Sequence, residues 1–294
     1  MNLLHFFPFL LLLIPVIIGI AGITSINRDK KTNPPIHPGK TILLNSALAY
    51  ALAFNLVFFI QELFLALGKK WLGLKGILFH NNHNWEGSHP QEMLAQGYGA
   101  AAIFIVAILS LIVLLNTKPK NRIYLFLLWF TYQGFAQSLP QFSTAMFAPD
   151  TDTGQAYSYL EIGPVAGAAI TIGSTFALLW LGMFFSKLFL QLAPPAFLSN
   201  AYTRHKYLLY TILLAALGGL LFIIPFRIMP WNRAIAPVAV TVISIPVIWL
   251  NGWRTRSATG HNHQVNYRVS YLMILLLILL LLFFQLILSK GVIV

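Results

Sequence analysis

Three histidines and a carboxylate fall within ten residues in the run Phe79-His80-Asn81-Asn82-His83-Asn84-Trp85-Glu86-Gly87-Ser88-His89-Pro90. Imidazole nitrogens and carboxylate oxygens are ligands that zinc and related divalent metals prefer. If the run starts as a helix, His80 and His83 share a face at a separation of three. Gly87 and Pro90 then turn the chain so that Glu86 or His89 closes the shell. His80, His83, Glu86 and His89 are thus expected to hold a divalent metal such as zinc. The same residues also read as an interfacial loop whose polar side chains meet headgroups and water, with Trp85 as an aromatic anchor.

Glu62 is the one acid inside an apolar run. An ionisable group at membrane depth is a functional candidate by default. As a catalytic general base it would activate a metal-bound water; pairing with Lys69 or Lys70 is the alternative. Asn55 and Gln61 lie close by, and all three could face the same cavity as His80 and His83. Further along, Gln133, Gln137 and Gln141 recur every four residues, a polar stripe down one helical face. With Asp150 and Asp152 beyond its end, the stripe is expected to line a polar cavity or ligand path. Pro140 frees the carbonyl of Ala136 as a further acceptor. The alternative is interhelical hydrogen bonding, typically worth about 0.6 to 2 kcal/mol for each bond. His261 and His263 read as part of a solvated loop. Gly163, Gly167, Ala169 and Gly173 are spaced for close helix contact.

Membrane helices must position these groups. The chain has 294 residues, of which 58% are apolar and 9% charged; a soluble domain is about 25% charged. That excludes an ordinary soluble enzyme, a disordered chain and a nucleic-acid-binding module. The absence of cysteine excludes disulfides, thiolate metal sites and cysteine nucleophiles. Apolar runs lie near 3–24, 41–67, 96–116, 123–148, 163–190, 207–226, 231–250 and 269–289. Each suits a helix of about 20 residues crossing a core of about 30 Å. The expected fold is therefore an all-α polytopic bundle of about eight spans, a single integral membrane domain over 1–294. Period-two alternation is missing, which argues against a β-barrel. The first run lacks a basic n-region and reads as a retained span.

Of the 19 Lys and Arg residues, 13 fall in the first, third, fifth and seventh connections. These belong in the cytoplasm, which places both termini on the non-cytoplasmic side. The formal charge of +12 then meets anionic lipid headgroups rather than nucleic acid. No Asn-x-Ser/Thr acceptor is present, compatible with a bacterial inner (plasma) membrane.

The segment Ala49 to Leu67, with Gln61-Glu62 and Leu65 inside it, resembles the helix of site-2-protease-type intramembrane metalloproteases. In that family a His-Glu-x-x-His helix supplies two zinc ligands and the general base. Here Gln61 stands at the first His, Glu62 matches the Glu, and Leu65 replaces the second His. Asp152-Thr153-Gly154 is a loose counterpart of the later segment that carries an Asp ligand. The resemblance implies zinc-hydrolase kinship with its defining histidines missing, so a metal would have to use His80, His83 and His89. That family also places its zinc towards the cytosol, opposite to the side on which the distribution of Lys and Arg puts these residues. The expected function is a non-catalytic membrane component or subunit of a larger complex, partnered by the bilayer and other membrane chains. The alternatives are a metal-dependent hydrolase at the outer interface and a transporter or channel using the Gln133–Gln141 face.

Overall fold

A segment rich in Ala, Leu and Phe and free of proline produces the longest helix among the described residues, α1 (Lys40–Trp71). The computed structural model describes Ile17 and residues 39–117, 122–227, 232–251 and 268–294. The expected first span at 3–24, its link through Pro38 and the His261–His263 loop lie outside the described residues. After α1 come β1 (Lys75–Leu78), β2 (His83–Glu86), a short α2 (Glu92–Ala95), α3 (Tyr98–Asn116) and α4 (Arg122–Thr144). Then follow α5 (Asp152–Tyr159), α6 (Pro164–Leu190), a short α7 (Pro195–Leu198), α8 (Ala201–Leu208) and α9 (Ala215–Leu220). The chain closes with α10 (Asn232–Asn251), α11 (Tyr271–Leu286) and β3 (Val292–Ile293).

Among the described residues, four helical stretches are long and apolar enough to cross a membrane: α1, Glu92–Asn116, α6 and Tyr271–Lys290. In α1, 72% of the most apolar window is buried, against 28% for the last of the four. So α1 is the axis of the bundle, packed by α3, α4, α9 and α11. The companion α4 packs against α1, α3 and α6. Its row of glutamines lowers its apolar character, which an internal helix tolerates because its polar atoms find partners among neighbours. The run 207–226, expected as one span, is an irregular helix as far as Leu220, followed by a turn. A π-helical turn at Leu209–Leu214, the short α9 and a 3-10 turn at Ile224–Arg227 succeed one another.

Trp129 is the largest fully buried side chain. It meets Tyr50 edge-on at 4.9 Å and Phe189 at 5.0 Å, and its Nε1 donates to Ser46 Oγ at 2.8 Å. Gly134 brings α4 against α3, since a Cβ there would lie 2.6 Å from that of Ala107. Of the small residues expected to make close contact in α6, Gly167 packs on Met146, whereas Gly163 and Gly173 face open space. Helix α6 instead meets α10 through Gly182, whose missing side chain leaves room for Val247.

The expected helical start of the His-rich run is corrected by the structure: the segment is a β-hairpin. Gly73 adopts φ 77° just past α1, a conformation that costs glycine little, and reverses the chain. Strand β1 then pairs antiparallel with β2, Lys75 opposite Glu86 and Leu78 opposite His83. At Gly76 a side chain would collide with the backbone carbonyl of Ala66, so only glycine lets β1 lie flat on α1. Strand β3 joins on the other side, giving the order β2-β1-β3. Beneath the sheet, Ala66, Leu78, Phe284 and Leu288 form a small second core.

The two ends of the bundle differ in charge. Tyr124 donates to Gln191 and Asn45 donates to the carbonyl of Arg268. These bonds bring the starts of α1, α4 and α11 to the end of α6, together with Lys40, Lys187 and Arg268. Glu86, Glu92, Asp150, Asp152 and Glu161 lie at the opposite end, where the hairpin sits, together with Lys69, Lys70, Lys75 and Lys290. Among the described residues this end therefore carries both signs, whereas the first is basic.

Candidate functional site

Strand alternation sends His83 and Trp85 to one face of β2, and that face meets α1. Their rings stack 13° from parallel with centroids 6.1 Å apart. His83 and Glu62 are both buried, at 9% and 5% exposure. His83 Nδ1 lies 3.0 Å from Glu62 Oε2, and Nε2 lies 2.9 Å from Gln96 Oε1. Gln96 reaches this point because Gly99 lets the start of α3 press on Gln61 and Leu65 of α1. Both ring nitrogens face oxygens, an arrangement that an imidazolium with two N–H donors satisfies in full. Burial by itself would lower the pKa of this imidazole. The hydrogen bond and charge of Glu62 outweigh it, with Asp152 and Gln96 adding to them, and the net shift is upward.

Lys69 lies two helical turns beyond Glu62 on the same side of α1. Its ammonium sits 4.1 Å from the centroid of Trp85 and donates to the backbone carbonyl of Glu92. Glu92 and Asp152 both act on it electrostatically. The hairpin is therefore gripped by α1 twice, at His83 through Glu62 and at Trp85 through Lys69.

The glutamine row of α4 continues inward from the same place. Gln141 Nε2 donates to Gln61 Oε1 at 3.0 Å and to the carbonyl of Gln137 at 2.8 Å. Thr153 Oγ1 donates to Gln141 Oε1 at 3.3 Å. One step deeper, Gln137 Nε2 donates to Gln133 Oε1 at 3.1 Å. Gln133 Nε2 is buried without a partner. Asp152 opens α5, behind the N-cap made by Thr151 Oγ1 and the amide of Gly154. Asp150 is exposed and does not join the row.

The four expected metal ligands point to four different places. His80 Nε2 lies 3.1 Å from the carbonyl of Phe226, while its Nδ1 is buried without a partner. Burial lowers the pKa of His80; the hydrogen bond to Phe226 opposes this, and the nearby charge of Arg227 adds to it. Glu86 forms an exposed 2.8 Å ion pair with Lys75 across the hairpin. His89 Nδ1 accepts from the amide of Gln91 at 3.1 Å. Among the described residues no three His, Cys, Asp or Glu side chains converge as a metal site. The positions matching the zinc helix do not fit that ion either. Gln61 is engaged by Gln141, and Leu65 is fully buried.

Sequence reasoning missed Gln96, the inward reach of Lys69, and Arg227. Arg227 stands beside a proline-bearing break and reads as a loop cation. In the fold it is buried, 3.7 Å from the ring centroid of Phe58, with Nη2 donating to Asn55 Oδ1 at 3.4 Å. The one signal available was its position between two apolar runs. No protein-family model, curated protein or solved structure matches the chain.

Proposed function

We propose that this chain is a multi-pass integral membrane protein of a bacterial inner membrane and works as a non-catalytic component of a larger membrane complex. It has about eight spans, with both termini and the hairpin on the non-cytoplasmic side. One observation carries the reading: the polar groups at the hairpin end are aimed at one another. His83 uses both nitrogens on Glu62 and Gln96. Gln61, Gln141 and Thr153 form a closed hydrogen-bonded set. Such a network fixes the relative positions of α1, α3, α4 and α5 and leaves an organised rim on which other chains can assemble. The outward faces of α3, α6 and α11 are apolar, with Leu109, Trp180 and Leu282 among their exposed residues, and face lipid or neighbouring spans.

The resemblance to intramembrane metalloproteases gains one supporting observation. The two segments that carry it, Gln61-Glu62 and Asp152-Thr153-Gly154, are joined through Gln141. That supports a non-hydrolytic relative in which amides and Leu65 occupy the ligand positions. The test is gentle detergent extraction followed by native electrophoresis and elemental analysis. The expected result is co-migration with other membrane chains and no tightly held metal. A lone monomer, or stoichiometric zinc that disappears in Glu62→Gln, overturns the proposal.

A further inference from the structure

We propose that the β-hairpin is a proton-controlled strap, held over the outer end of the glutamine row while His83 is an imidazolium and released when that ring loses its proton. This goes beyond the role in assembly and does not depend on it.

The geometry supplies the catch. The only side chain of the hairpin that enters the bundle between two acceptors is His83, 3.0 Å from Glu62 Oε2 and 2.9 Å from Gln96 Oε1 among the described residues. The charged ring gives one N–H to each oxygen and balances the carboxylate. A neutral ring gives one N–H to Glu62 and turns a lone pair to Gln96 unless that amide rotates. The attraction of opposite charges is lost in either case, which leaves a buried carboxylate short of its counter-charge.

The surrounding charges set the direction. From α1, Glu62 favours the charged ring, and Lys69 stands over Trp85 rather than on the imidazole. From α5, Asp152 adds a second negative field. On α2, Glu92 receives Lys69 at its carbonyl and carries a negative charge towards the same ammonium. Arg227 feels the charge of Glu62 but makes no ion pair with it, so among the described residues His83 is the one ion-pair partner of that carboxylate. His80 hangs on Phe226 and takes no part in the catch.

Strand β1 is anchored apart from His83, by Leu78 in the small core with Ala66, Phe284 and Leu288 and by its pairing with β3. Strand β2 has, besides His83, the contact of Trp85 with Lys69. The exposed Lys75–Glu86 pair lies within the hairpin and does not tie it to the bundle, so β2 is the edge that loosens. Next to Glu62 on α1 is Gln61, the outer end of the row Gln61–Gln141–Gln137–Gln133. Release of the strap therefore uncovers Glu62, the carboxylate beside the outer end of that row.

The native chain has no cysteine, so spin labels go in without background at Asn84→Cys on the hairpin and Ser158→Cys on α5, in detergent or nanodiscs. Pulsed distance measurement at pH 6 should give one narrow distribution. At pH 9 it should give a broader and longer one, reversibly. Glu62→Gln removes the counter-charge and should abolish the step, as should His83→Gln, which keeps a hydrogen-bonding side chain without a titrating ring. Lys75→Gln should leave the step in place. An unchanged distribution in the labelled parent between pH 6 and 9 overturns the proposal whatever the variants do. A step that survives in both Glu62→Gln and His83→Gln overturns it as well.

Discussion

A buried carboxylate beside an imidazole binds the ring in its charged form, and the sign of the pH effect follows. The folded pKa of His83 is raised. Its contribution to stability is therefore fully present below the ordinary histidine value of about 6.5 and is lost as pH rises through the folded value. Hydrogen exchange at the amides of Leu78 and Trp85 should be slowest near pH 6, after correction for intrinsic rates. Protection should decline towards pH 9 in the native chain and be flat in His83→Gln. Replacing Glu62 by Ala removes one partner of a buried pair, a change that costs about 3–5 kcal/mol; thermal unfolding in detergent should show it as a large fall in Tm. At this scale the sequence singled out Glu62 and His83 by residue type, because an acid in an apolar run and a clustered histidine are both unusual. It gave no sign that Gln96 completes the set. That partner is chosen by the close approach at Gly99, which depends on how α3 packs.

Two elements position the site, and both are sensitive to small changes. Gly76→Val would drive a side chain into the carbonyl of Ala66 and lift β1 off α1. Limited proteolysis should then cut within residues 72–90, where the native hairpin resists. In α4, Gln137→Leu removes the interhelical bond to the carbonyl of Phe54 and takes a donor from Gln133 Oε1, and should lower stability by about 1–2 kcal/mol, the scale of an interhelical hydrogen bond. If the row only binds helices together, solute flux into proteoliposomes stays at background in the native chain and the variant alike. The four-residue spacing of the glutamines made this row legible in advance, since side chains four apart share a helical face. The hairpin was not legible. Its strands are four residues each, too short to show alternation above the polar noise of a His- and Asn-rich loop. The irregular helix in the 207–226 run was hidden for a related reason. A π-helical turn changes backbone hydrogen bonding without any required residue type, and the apolar character of the run continues through it.

For the molecule as a whole, hydropathy located helices able to cross a membrane, because a helix needs an apolar run of about 20 residues to do so; four of the eight expected runs are such helices among the described residues. It could not rank them as central or peripheral. That ranking comes from α1, buried on every side over residues 45–55, and from α11, where Leu272, Leu275, Leu279 and Leu286 remain exposed on an almost wholly aliphatic helix. The difference in charge between the two ends gives a direct test of orientation. With no native cysteine, Asn82→Cys and Lys187→Cys report on opposite ends. An impermeant maleimide added to intact cells should label the first and reach the second only after the membrane is opened. The reverse pattern would invert the proposed topology.

The third strand of the small sheet is made from Val292 and Ile293, whereas its neighbour β1 begins at Lys75. At elongation rates of about 5–20 residues per second, the ribosome needs on the order of 10–40 s to travel from one to the other. Throughout that interval β1 has one free edge, open to any extended polypeptide nearby. Maturation of this rim is thus timed by translation and helix insertion, and an assembly factor or partner chain that engages β1 early competes directly with the protein's own closing strand.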